Sequence, residues 1–93
     1  MYVKVNKNYF PDDKDIGSLI CVKTINHYYN SLEEYKNCII LEFKYNKRYK
    51  KPTRMILLSQ DGTEKFVVLP FDYNKKIQVE IKFLSRLKES FLK

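Results

Sequence analysis

A chain of 93 residues with 44% hydrophobic and 15% aromatic content makes one globular domain, 1–93, and excludes a disordered or low-complexity chain. Its formal net charge of +7, from 18 basic and 11 acidic residues, points to acidic partners. No apolar run reaches the roughly 18 residues of a membrane span, and MYVKVNKNYF lacks the apolar stretch of a signal peptide, so the expectation is a cytoplasmic domain, in its own cell or a host's, with no membrane partner.

Segments 2–5 and 17–25 are expected to be strands. YVKV alternates, and GSLICVKTI is rich in branched apolar residues between Gly17 and Asn26. NKNYFPDDKD between them is a loop. Its Asp12, Asp13 and Asp15 have oxygen ligands for a divalent cation, but they lack the later ligands of an EF-hand and read as a solvated acidic loop. That loop is also complementary to a basic surface on a second copy, which makes a homo-oligomer one of the expected partnerships. His27 falls in a loop with no nucleophile at a fixed spacing. Tyr28, Tyr29 and Tyr35 form an aromatic group suited to an interface or to partial burial. Ser31 and Glu34 have the spacing of a capping box, which predicts one helical turn over 31–36.

Strand 38–45 is expected to turn Ile39, Leu41, Phe43 and Tyr45 to the core. RMILLSQ and TEKFVVL flank Asp61-Gly62, a pair that favours a two-residue type I′ turn. That turn sets Leu57 opposite Phe66, Met55 opposite Val68 and Ile56 opposite Val67, with Met55, Leu57, Phe66 and Val68 facing the core. Segment 75–92 alternates at Ile77, Val79, Ile81 and Phe83, yet most of its apolar residues also fall on one helical face. Only Val79 lies outside that face, and no Gly or Pro interrupts the segment. The expectation is a single C-terminal helix. The fold class is then α+β: a four- to five-stranded antiparallel sheet with that helix packed on one face. The alternative is a small SH3-like or OB-like barrel with a terminal helix.

Cys21 and Cys38 sit in apolar runs and are expected to be reduced core residues. No CxxC pair, P-loop, GxGxxG, HExxH or GxSxG occurs, so no metal, cofactor or catalytic site is expected.

The charge is concentrated. Lys44 to Arg54 reads KYNKRYKKPTR and holds six cations and no acid; the rest of the chain has 12 basic and 11 acidic residues. Lys, Asn, Tyr and Ile share AT-rich codons, so base composition accounts for lysine content but not for this clustering. Lys44, Lys47, Arg48, Lys50, Lys51 and Arg54 are candidate phosphate contacts. Tyr45 and Tyr49 are candidate stacking residues for unpaired bases. The leading expectation is a small nucleic-acid-binding module, for DNA or RNA. The second is a phage- or virus-type interaction protein that inhibits a larger host nucleic-acid-processing machine by binding an acidic or nucleic-acid-binding host protein. The third is a metal-independent ribonuclease of the small toxin type, drawing on His27, Arg48 and Tyr49.

Overall fold

A computed structural model describes residues 1–48, 50–71 and 76–85. Six strands form one antiparallel sheet: β1 (Val3–Lys4), β2 (Leu19–Asn26), β3 (Ser31–Tyr45), β4 (Pro52–Leu58), β5 (Glu64–Val68) and β6 (Ile77–Ser85). Their order across the sheet is β1-β6-β2-β3-β4-β5. The only helix among the described residues is a 3₁₀ turn at Asp13–Asp15.

This overturns the α+β expectation. Ile77–Ser85 is a strand that fits between β1 and β2, with Ile81 opposite Val3 on one side and Val22 on the other. Val79 explains why the strand prevails. A helix leaves it outside the apolar face, whereas the strand buries it completely beside Ile81. The rest of the expected helix, 75 and 86–92, lies outside the described residues, and Lys76 is in a turn. The turn expected at 31–36 is also strand, because Ser31 to Tyr35 pair residue by residue with Asn26 to Val22. The capping box in the structure belongs instead to the acidic loop. Asp12 accepts from the Lys14 N–H (3.0 Å), and the Asp15 carboxylate accepts from the Asp12 N–H (3.2 Å). This bonding satisfies one oxygen, Oδ2, of the buried Asp15 carboxylate.

β3 bends the sheet. Its first half pairs with β2 and its second half with β4. Two bulges interrupt it. One lies near Asn37, which adopts a left-handed φ of 55°, and the other is at Leu41. Each inserts one residue and increases the local twist. The bulges also break the alternation expected for 38–45. Cys38 and Ile40 point inward, Ile39 and Leu41 outward, and the bulge at Leu41 returns Phe43 to the core. The ladders leave β1 and β5 as edges, yet Val79 and Ile81 of β6 share one cluster with Met55, Leu57 and Val67 of β4 and β5. The sheet therefore curls around a single core. Cys38 belongs to that core, Cys21 is buried on the other face, and both thiols are free.

The β4–β5 hairpin departs from expectation by one residue. Leu57 is opposite Lys65, Ile56 opposite Phe66 and Met55 opposite Val67. The connection is a three-residue loop, closed by Ser59 N–H to Thr63 carbonyl (2.9 Å) and Gly62 N–H to Ser59 carbonyl (3.0 Å). Gly62 takes the left-handed conformation, φ 85°, as the third residue of such a loop requires. Asp61 selects this loop: its carboxylate accepts the Ser59 hydroxyl, the Thr63 N–H (3.0 Å) and the Thr63 hydroxyl (2.6 Å). These bonds hold its pKa well below the usual carboxylate range. The one-residue slip exchanges the faces of β5, placing Val67 inside and Phe66 and Val68 outside. A Cβ at position 62 meets no atom within 4 Å, so Gly62→Ala is expected to lower stability by about 1 kcal/mol through backbone conformation alone. Urea denaturation checks this, and Gly62→Asn should be milder.

Two tyrosines on the sheet face carboxylates. The Tyr2 hydroxyl donates to Glu34 (3.0 Å) and the Tyr35 hydroxyl to Glu33. The Tyr2 pKa is pushed up to about 12, first by burial and then by Glu34; the Tyr35 pKa is pushed up to about 12, first by its bond to Glu33 and then by burial. The fold thus favours the protonated phenol. That contribution is complete below the unfolded pKa, near 10, and is lost as pH rises toward about 12. Stability is expected to fall through this alkaline window, with less of a fall in Tyr2→Phe/Tyr35→Phe. Denaturant midpoints across the window check it.

Candidate polyanion-binding hairpin

The basic segment spans the end of β3, the connection 46–51 and the start of β4. Local bonds shape it. The Asn46 side chain accepts the Arg48 N–H (3.0 Å), an Asx turn that lets the chain leave β3, and the Thr53 hydroxyl donates to the Lys44 carbonyl (3.2 Å). The last regular pair before the turn sets Lys44 directly opposite Arg54. Like charges at cross-strand positions repel, and Glu42 offsets part of this through a 2.8 Å ion pair with Lys44.

Lys47, Arg48, Lys50 and Arg54 are exposed, and Lys51 is half-buried. Among the described residues, none of these five has a carboxylate within ion-pair distance. Lys51 instead extends over the Phe10 ring, 5.8 Å from its centre, and Phe10 packs edge-on against Phe71 at 5.3 Å. Beside them, Lys7, Lys50 and Lys51 line a recess of about 280 Å³ with Pro70 and Phe71. The N-terminal loop therefore adds Lys7 to the hairpin's cations.

The acidic loop runs beside the same hairpin, close enough for Asp13 and Asp12 to act on Tyr45. Gly17 N–H donates to the Ile40 carbonyl (2.8 Å) and Ile40 N–H to the Ser18 carbonyl (3.1 Å), which carries the 3₁₀ turn alongside β3. The Tyr45 pKa is raised first by burial and then by the charge of Asp13 in this loop. Tyr45 itself is 44% exposed. Tyr49 lies outside the described residues.

The rest of the sheet explains why the excess charge resides in the hairpin. Lys4, Glu80, Lys23 and Glu34 are successive cross-strand neighbours on β1, β6, β2 and β3. This alternating row carries no net formal charge, although none of its members forms an ion pair among the described residues, and Lys23 lies 4.4 Å from the Tyr2 ring centre.

The other sequence candidates lie elsewhere. His27, Tyr28 and Tyr29 are exposed in the β2–β3 turn, whereas Arg48 follows the far end of the 15-residue β3. A strand advances ~3.3 Å per residue, so the fold does not bring His27 to Arg48. Tyr28 and Tyr29 lean together at 6.1 Å, remote from Tyr45. Among the described residues, no group of His, Cys, Asp and Glu is arranged to hold a metal ion, and no helix is long and apolar enough to cross a membrane. No protein-family model, curated protein or solved structure matches this chain.

Proposed function

We propose that this domain binds nucleic acid through the phosphate backbone, using the β3–β4 hairpin. The reading is carried by one observation: Lys47, Arg48, Lys50 and Lys51 crowd one short connection, with Arg54 just beyond it on β4, and none has a carboxylate in ion-pair distance among the described residues. The Lys44–Arg54 repulsion is relieved when an anion lies across the pair. Lys7 extends the footprint, and the aromatic wall of the recess offers a surface for an unpaired base. The hairpin is a ribbon edge without a groove-filling helix, so contacts to phosphate predominate and sequence preference is weak. Location in the cytoplasm, or in a host's cytoplasm, belongs to the same proposal and suits two free buried thiols.

The test is fluorescence anisotropy with a labelled single-stranded oligonucleotide, titrated over a range of KCl. Affinity should fall linearly on a log–log plot against salt. Failure to bind at low salt, with capture of an acidic protein that survives nuclease treatment, would replace nucleic acid by a protein partner.

A further inference from the structure

The inner face of the curled sheet turns polar at one end. Cross-strand rows on β6, β2 and β3 run from Ile81, Val22 and Tyr35, through Val79, Thr24 and Glu33, to Ile77, Asn26 and Ser31. Alternation puts all nine on the face of Val22, which belongs to the core. The first row packs in or against that core, whereas Thr24, Glu33, Asn26 and Ser31 line a recess of about 160 Å³. Its opposite wall is β5, from Phe66 to Val68, and none of its described lining residues belongs to β4. The recess therefore lies on the free side of β5.

The ladder determines which β5 groups face it. Ser59 N–H bonds to Thr63, and Leu69 N–H bonds to Thr53, each at 2.9 Å. Bonded and non-bonded pairs alternate in an antiparallel ladder. Lys65 and Val67 therefore bond to β4, while Phe66 and Val68 direct their N–H and C=O groups away from it. Across the recess, Glu33 is the charged residue of the described lining, and no cation pairs with it among the described residues. The Tyr35 hydroxyl donates to its Oε2, which orients the carboxylate and leaves Oε1 open. The wall is thus rich in acceptors: a carboxylate, the Thr24 and Ser31 hydroxyls and two backbone carbonyls. Ile77 and Val67 add apolar surface.

We propose that this recess binds a small organic cation, an ammonium or guanidinium group on a short apolar stem, with Glu33 as its counter-ion. The volume is below the ~300 Å³ of sites for drug-sized ligands, so it suits a head group. The chain's net charge of +7 repels cations in general. Its excess, however, resides in the hairpin beyond the opposite end of β3, and fields between exposed charges decay over ~8 Å at physiological salt. The proposal does not depend on nucleic-acid binding.

The test is a titration of the ¹⁵N-labelled full-length protein with n-butylguanidinium and n-butylammonium at physiological salt, followed by amide chemical shifts. Saturable shifts are expected at Thr24, Asn26, Glu33, Phe66 and Val68, and n-butanol should not reproduce them. Glu33→Gln keeps an acceptor for Tyr35 and should weaken binding by at least about tenfold. Glu34→Gln removes the same charge from the opposite face of β3 and should leave the affinity unchanged. A capped Gly-Arg-Gly peptide distinguishes sources: binding equal to n-butylguanidinium assigns the recess to a protein side chain, and weaker binding assigns it to a free cation. Absence of saturable shifts at these amides, equal shifts with n-butanol, or a Glu33→Gln protein that binds like wild type overturns the proposal.

Discussion

Changing Lys47, Arg48, Lys50 and Lys51 together to alanine is expected to reduce single-strand affinity by about a thousandfold at 0.1 M salt, and to lower the slope of log affinity against log salt by about 3. The argument is counterion release. Each cation seated on a phosphate frees about 0.7 of a condensed ion on a single strand, so four lost contacts remove that many increments from the slope. Lys47, Arg48 and Lys50 are exposed and hold no ion pair among the described residues, so their removal leaves no buried carboxylate unpaired. Lys51 has a packing role against Phe10, and its truncation is expected to lower stability slightly. The control is Lys4→Ala/Lys23→Ala, which removes charge from the row of zero net formal charge. It should leave the slope almost unchanged. If the control loses as much per charge as the hairpin variant, binding follows net charge and the hairpin is not the site.

The basic hairpin was legible because clustering of charge is a one-dimensional property, and a turn between two strands keeps it together in space. The recess was not, since Lys7, Lys51 and Phe71 come from three separate parts of the chain. Strand positions were largely visible in alternation and branched residues. The errors arose where two local signals competed. Asp61-Gly62 suits a two-residue turn, but Ser59 and Thr63 offer the Asp61 carboxylate a set of donors that only the longer loop brings into range. Ser31 and Glu34 have capping-box spacing, but pairing with β2 satisfies that backbone instead. Ile77–Ser85 carries both periodicities, and the deciding vote is tertiary: only a strand buries Val79 and bridges β1 to β2.

The hairpin register has a decisive consequence at two adjacent residues. Val67 is 1% exposed, opposite Met55 in the core cluster, whereas Phe66 is 65% exposed on the outer face. Val67→Asp introduces a carboxylate among Met55, Leu57 and Ile40 with no cation inside that cluster. The group either remains charged without a partner or takes up a proton, and both outcomes are unfavourable. The expected loss is about 3–5 kcal/mol, against a total of roughly 5–14 kcal/mol for a domain of this length. Phe66→Asp exchanges an exposed ring for an exposed charge and is expected to lose only about 1 kcal/mol, mainly in strand propensity. A two-residue turn predicts the opposite order, because it places Phe66 inside and Val67 outside. Urea unfolding of both variants separates the two registers. A Phe66→Asp protein that unfolds while Val67→Asp remains stable would restore the two-residue turn, and the apolar face on β5 would vanish with the slip that created it.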